Sequence, residues 1–294
     1  MGTKTRVAAR HAGKSKIKIL NSEILDLPWL VHGFSTRLGG CSAVYGGSSL
    51  NLGFTKDDKR ALVERNRDEF MHALGADSAS WRLATQRQVH SDLIHHVTAA
   101  DAHPAGDGLI TDTPGLLLGV QTADCLPVLL VDAKRRAVGA FHAGWRGTLK
   151  RIVEKGVGEM RRQFGSDPGD LRAAIGPGIH SCCYQVGEEV REKFHSQFAY
   201  AAELFREVRE SNPVHEKYPL LFLTARAPGH GPEETLFFLD LVAANTRQLL
   251  DAGVPAGNIS ASPLCTSCRT DLLFSYRKQN GVAGRMLGVV GIRP

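Results

Sequence analysis

Apolar residues recur along this chain in two distinct periods. In "DDKRALVERNRDEFMHALG", residues 57–75, Leu62, Val63, Phe70 and Leu74 fall on one side of a helical repeat, and Gly75 supplies a stop. A second helix is predicted in "LKRIVEKGVGEM", residues 149–160, where Leu149, Ile152, Val153, Val157 and Met160 recur every three or four positions and Thr148 offers a cap. "DLVAANTRQLLDAG" from Asp240 to Gly253 and the shorter "GEEVREKFHSQF" from Gly187 to Phe198 complete the helical set. Between them stand strand-like runs bounded by Gly, Pro and Asp: "LIHHV", "GLLLGVQTADCLPVLLVD", "AVGAFHA", "LRAAIG", "LLFL", "TLFFL" and "RMLGVVGI". Helices and strands are interspersed without strict alternation. This pattern predicts an α+β (mixed α/β) fold, a single domain over residues 21–294 with mixed sheets flanked by helices, rather than a doubly wound parallel sheet. The longest surface loop is expected at residues 225–234, "ARAPGHGPEE".

Composition narrows the class. At 294 residues and 43% hydrophobic content, the chain is long enough for a large core. Its formal charge of +6 would suggest a nucleic-acid partner, but Lys4, Arg6, Arg10, Lys14, Lys16 and Lys18 account for all of it. The body is neutral, so nucleic acid is not the expected partner, and residues 1–20 are expected as a disordered basic arm. That arm lacks the apolar stretch of a secretory signal, and no run reaches the roughly 18 apolar residues that cross a bilayer. A cytoplasmic, membrane-free protein with six reduced cysteines is therefore expected.

Against this background the polar interruptions of apolar runs stand out. His90 in "QRQVHSDL" and His142 in "AVGAFHAGWRG" both sit at strand-to-loop junctions, and Cys125 follows Asp124 and precedes Pro127, where a bulge is expected. Each alone fits an ordinary core residue, since a buried cysteine packs as a small hydrophobe. Together, two imidazoles and a thiolate suit zinc, and three protein ligands leave a fourth position open as catalytic zinc sites do. The same atoms also suit a cysteine hydrolase of a small-metabolite or cell-wall-precursor amide, with Cys125 as nucleophile and His90 or His142 as base. Arg146 between Gly144 and Gly147, and Arg37 beside Gly39 and Gly40, are candidate anion ligands. The lone C-x-x-C at Cys265 and Cys268 and the vicinal Cys182 and Cys183 are weaker signals, read as structural.

"HGFSTRLGGCS", "SLNLGFTKDD" with "ERNRDEF", "QRQVHSD", "DGLITDTPGLLLGVQTADCLPVLLVD", "AVGAFHAGWRGT", "AAIGPGIHSCCYQVGEEV", "FLDLVAANTRQLLDAGV" and "CTSCRTDLLFSYRKQNGVAGRMLGVVGI" occur in this order. In these blocks the chain resembles the laccase-domain family, also called the multicopper polyphenol oxidase or purine nucleoside phosphorylase family. Only the basic arm and residues 199–233 lie outside the resemblance. It implies zinc bound by the histidine of the Q-V-H block, the cysteine of T-A-D-C and the histidine of H-A-G-W-R-G, here His90, Cys125 and His142. It also implies phosphorolysis of adenosine, inosine and methylthioadenosine to a free base and ribose 1-phosphate, with adenosine deamination as a second reaction. Purine nucleoside and phosphate are then the partners, Arg37 and Arg146 the phosphate candidates, and Asp124 a candidate catalytic group beside a metal ligand. The older copper label fits poorly: none of the twelve histidines forms a His-x-His pair, and no methionine lies near the three residues in sequence to complete a blue-copper set. Copper binding in vitro remains compatible with the donors.

Overall fold

A computed structural model describes residues 17–101, 103–209 and 235–294. The expected strand at 220–223, the expected loop at 225–234 and the arm up to residue 16 lie outside the described residues. The chain divides into two compact units, one formed by the residues up to Ile179 together with Leu241–Pro294, the other by His180–Asp240. The hydrophobic pattern carried no mark of this boundary.

The larger unit runs through β1 (Ile19–Leu20), β2 (Leu30–Ser35), β3 (Leu38–Ser42), α1 (Arg60–Ala73), β4 (Arg82–Ala84), β5 (Ile94–His96), β6 (Gly108–Thr111), β7 (Leu116–Thr122), β8 (Leu126–Asp132), β9 (Ala137–Ala143), α2 (Trp145–Leu149), α3 (Ile152–Phe164) and β10 (Leu171–Ile175). The smaller unit holds β11 (Gln185–Val186), α4 (Glu188–Gln197), β12 (Phe205–Arg209) and β13 (Thr235–Leu239). The larger unit then resumes with α5 (Leu241–Asp251), β14 (Ile259–Ala261) and β15 (Met286–Ile292). Its strands form a five-stranded sheet in the order β1-β2-β15-β7-β4 and a six-stranded sheet in the order β14-β10-β8-β9-β6-β5. Both are mixed: β4 runs parallel to β7 and β5 parallel to β6, while the central pairs are antiparallel. The expected α+β class with mixed sheets is what the chain adopts.

Strand periodicity explains the layering. Leu118 and Val120 of β7 and Val290 of β15 share one apolar cluster with Leu129 and Val131 of β8 and Val138 and Ala140 of β9, so the two sheets pack face to face. The alternate residues Leu117, Leu287 and Val289 face the other way, against Phe70 and Met71 of α1. On the far side of the six-stranded sheet, α3 presses onto β9 at Gly156, where a Cβ would lie 2.6 Å from the Phe141 ring. Because both faces of each sheet are covered, β8, β9 and β15 are buried at every position.

Three local expectations are corrected. Residues 115–132 are not one bulged strand: β7 ends at Thr122, β8 begins at Leu126, and the two belong to different sheets, so Ala123–Asp124–Cys125 is the turn at which the chain changes sheet. The helix expected from Thr148 is two helices, broken at Arg151 with φ +63°. Thr148 lies inside α2, where its hydroxyl accepts from Asn245 Nδ2 (3.0 Å) and its carbonyl from Gln248 Nε2 (2.8 Å), tying α2 to α5. The basic arm ends earlier than residue 20, because Ile19 and Leu20 pair with Ser35 and Phe34, and the Lys18 carbonyl accepts from Thr36.

In the smaller unit, β13 lies between β11 and β12 in a three-stranded antiparallel sheet. Phe194 of α4 is its buried centre, in ring contact with Phe198 at 5.6 Å and Phe205 at 5.8 Å.

Candidate active site

The sheet-changing turn delivers Cys125 to the head of β8, and β9 delivers His142 one residue from its own end. Their strands are paired, Leu126 with Ala143 and Pro127 with His142, so Cys125 comes out beside the start of the turn after β9. There Gly144 is required: a Cβ at this position would lie 2.9 Å from Cys125 Sγ and 3.2 Å from His90 Cδ2. His90 arrives from the loop before β5, with φ +56°. One nitrogen from each histidine and Cys125 Sγ lie within 4.8 Å of one another, a set able to hold a metal ion. Sγ stands 4.0 Å from His90 Nε2, and the two imidazoles meet edge to face with centroids 4.9 Å apart.

What aligns these groups is Asp107, a residue that sequence reasoning does not single out. It is fully buried just before β6 and takes five donors. Oδ1 accepts from the His90 amide (3.1 Å) and His142 Nδ1 (2.8 Å). Oδ2 accepts from the amides of Val89 (3.2 Å) and Ser91 (2.6 Å) and from Ser91 Oγ (2.7 Å). Three successive amides thus wrap one carboxylate, and this holds His90 in its left-handed conformation. Burial by itself would raise the Asp107 pKa, but the bonds from His142 and Ser91 outweigh it and hold the group at about 2. A carboxylate only accepts, so Nδ1 of His142 carries a hydrogen in either charge state, and the neutral ring turns the lone pair of Nε2 toward the cluster. Without a metal, burial would raise the Cys125 thiol, yet charge and hydrogen bonding from His142, then His90, bring it to about 6. Burial would likewise lower His142, but Cys125 and then Asp107 lift it to about 9. The metal-free pair is a thiolate beside an imidazolium, which is the proton arrangement a soft cation displaces.

Asp124 is placed behind this cluster. Its φ of +97° makes the turn, Oδ1 accepts from Thr266 Oγ1 (2.6 Å), Oδ2 from the Arg277 amide (2.7 Å), and its carbonyl from the Ile179 amide (2.7 Å). Both carboxylate oxygens serve as acceptors, so Asp124 positions the turn that carries Cys125. Gln88, two residues before His90, clasps β7 in strand fashion: Nε2 donates to the Gln121 carbonyl (2.8 Å) and Oε1 accepts from the Gln121 amide (2.7 Å).

The two arginines differ. Arg37 donates to the carbonyls of Thr270 (2.7 Å) and Tyr45 and lies 4.8 Å from the Phe274 ring, so its guanidinium ties two loops together, and burial lowers its pKa. Arg146 is exposed on α2, stacked 4.4 Å from the Trp145 ring, and has no carboxylate partner among the described residues. Arg146 is available to an anion in a way that Arg37 is not.

A mixed α+β scaffold presenting two histidines and a cysteine, with the second-layer carboxylate that orients them, defines a metal-capable enzyme-like centre. Residues 31–293 match the family described as multi-copper polyphenol oxidoreductase laccase, and the chain belongs to it. It is 38% identical to a purine nucleoside phosphorylase of Deinococcus radiodurans over 94% of this chain and 93% of that one. It is 34% identical to adenosine deaminase RL5 of an unknown prokaryotic organism, over 91% of this chain and 97% of that one. Among solved structures, the Bacillus licheniformis hypothetical protein YfiH superposes with a TM-score of 0.79 at 32% identity, covering 96% of this chain and 98% of that one.

Proposed function

We propose that this chain is a zinc-dependent purine nucleoside phosphorylase, acting on adenosine, inosine and methylthioadenosine, with adenosine deamination as a second activity. The observation that carries it is the meeting of His90, Cys125 and His142 around a common point, with Asp107 fixing the tautomer of His142. The names of the Deinococcus phosphorylase and the RL5 deaminase support the two reactions. The donor set fits zinc: one thiolate and two imidazoles, with no fourth protein ligand among the described residues and a glycine where a Cβ would fill the cradle.

In phosphorolysis the bond from C1′ to the purine nitrogen breaks, a phosphate oxygen bonds to C1′, and the departing base takes up a proton. Zinc, when bound, supplies Lewis acidity and brings a coordinated water toward pKa ~7, the property deamination at C6 of adenine requires. The chain's own residues do the rest. Asp107 keeps His142 Nε2 and the His90 loop in register, Asp124 keeps Cys125 at the sheet-changing turn, and Arg146 supplies positive charge for phosphate. The His₂Cys set also admits copper, but the buried methionines, Met71 on α1, Met160 on α3 and Met286 on β15, sit in the packed layers, so a polyphenol oxidase is the weaker assignment. No helix among the described residues is long and apolar enough to cross a membrane, and a cytoplasmic location is part of this proposal.

Metal analysis of the purified protein, paired with product detection from adenosine or inosine plus phosphate, tests the assignment. Bound zinc together with free base and ribose 1-phosphate is the expected result; neither metal nor products would overturn it. His90→Ala and His142→Ala should strip the metal, whereas a metal-free cysteine hydrolase would have none to lose.

A further inference from the structure

Tyr276 is an aromatic side chain left 51% exposed on a loop that is otherwise held rigidly. Phe274, two residues earlier, is fully buried in the core, and Ser275 is buried as well. The Ser275 amide donates to Gln279 Oε1 (3.0 Å), the Lys278 amide to Ser275 Oγ (3.1 Å), and the Gly281 amide to the Tyr276 carbonyl (2.9 Å). Gly281, at φ +86°, passes under the ring, where a Cβ would lie 3.4 Å from the hydroxyl oxygen. Arg285 steadies the same ring with its guanidinium 5.3 Å from the centroid. An exposed aromatic with so little freedom is pre-organised for a flat ligand.

Two independent routes tie this ring to the metal-capable cluster. The residue after Tyr276 is Arg277, whose amide donates at 2.7 Å to Asp124, and the residue after Asp124 is Cys125. On the other side, the Arg285 stem and Gln121 Oε1 converge at Gly53, where a Cβ would lie 2.6 and 2.7 Å from them, and Gln121 is the partner of Gln88 in the loop that ends at His90. We propose that Tyr276, steadied by Arg285, is the platform on which the purine ring of the nucleoside stacks at the rim of the His90–Cys125–His142 centre. This rests on the nucleoside assignment above and adds to it the residue that holds the base. Stacking reads a π face rather than ring substituents, so one platform serves adenine, hypoxanthine and methylthioadenosine alike. A pocket built on hydrogen bonds to C6 substituents would not.

The test is steady-state phosphorolysis of inosine by the intact enzyme, with equilibrium binding of inosine measured calorimetrically without phosphate. Tyr276→Ala should raise the nucleoside KM and Kd about 30-fold, the mid-range effect of removing one base-stacking aromatic. Its phosphate KM, bound-metal content and unfolding temperature should match the wild type, and Tyr276→Phe, which keeps the face, should behave as the wild type. Wild-type turnover with unchanged nucleoside KM and Kd in Tyr276→Ala overturns the platform alone, as does a Tyr276→Phe as impaired as the alanine variant. A wild-type enzyme that releases no base and no ribose 1-phosphate overturns the nucleoside assignment, and the platform with it.

Discussion

Replacing Asp107 by asparagine exchanges one carboxylate oxygen for an NH₂ group in a fully buried position surrounded only by donors. If the amide nitrogen takes the place of Oδ2, the Val89 and Ser91 amides lose their acceptor, because only the Ser91 hydroxyl can rotate to accept instead. If it takes the place of Oδ1, the His90 amide is orphaned, and His142 must accept at Nδ1 and so carry its hydrogen at Nε2, the atom that faces Cys125. Either choice leaves at least one buried backbone donor unsatisfied, a loss of about 1–3 kcal/mol in stability. The second also removes a metal-binding lone pair, so zinc affinity should fall about 10- to 100-fold, the usual effect of losing the group that orients a ligating histidine. The assay is competition for zinc against a chromophoric chelator, with unfolding of the metal-free variant recorded separately so that folding and binding losses are not confused. Ser91→Ala is the control: it removes one hydroxyl bond to Asp107, costs about 1 kcal/mol, and should leave zinc affinity close to wild type. If Asp107→Asn binds zinc as tightly as the wild type, Asp107 does not set the His142 tautomer and the account of the site fails.

Three further outcomes follow from the same geometry. Gly144→Ala places a Cβ 2.9 Å from Cys125 Sγ, so it should cost about 1–3 kcal/mol of stability and lower bound-metal content, read by thermal unfolding and metal analysis. Arg146→Gln should raise the phosphate KM about tenfold or more while leaving nucleoside KM and metal content unchanged, whereas Arg37→Gln should chiefly lower the unfolding temperature, because Arg37 holds two loop carbonyls. In the smaller unit, burial lowers the His180 pKa below 6.5 against a weaker opposing pull from Asp240. The unfolded segment therefore binds the proton more readily, and stability present above pH 6.5 is lost as pH falls through the folded value; amide-exchange protection across 180–209 should drop over that range in the wild type and not in His180→Gln.

The sequence disclosed the layers better than the turns between them. Runs such as "AVGAFHA" became strands at the expected residues because β9 is buried on both faces, and a two-sided core leaves little in a strand but aliphatic residues. The short edge strands β1, β4 and β14 lacked that signature, being two or three residues long and paired on one side only. The "LVHGFS" run of β2 was missed for another reason: His32 interrupts it, although inside the fold its ring is bonded to the Ser22 backbone. Cys125, His90 and His142 could be singled out because each is a polar residue where an apolar run stops. Asp107 could not: an acid before "GLIT" looks like any loop aspartate, and its partner His142 is 35 residues away with no local spacing to betray the pairing.

The two buried carboxylates divide one task between them. His90 at φ +56° and Asp124 at φ +97° both sit in backbone conformations that non-glycine residues avoid, at a cost of about 1–3 kcal/mol each. In each case a carboxylate offsets that cost through hydrogen bonds: Asp107 takes the amides of the loop bearing His90, and Asp124 holds its own turn through the Thr266 hydroxyl and the Arg277 amide. The strain is what brings a loop histidine and a turn cysteine to the end of β9, where the regular strand supplies only His142. A strain-free backbone at residue 90 would turn His90 away from the cluster, and one at residue 124 would redirect the turn that carries Cys125. The site is therefore assembled by two local distortions on one rigid strand, and the three donors are held by groups that never touch a metal.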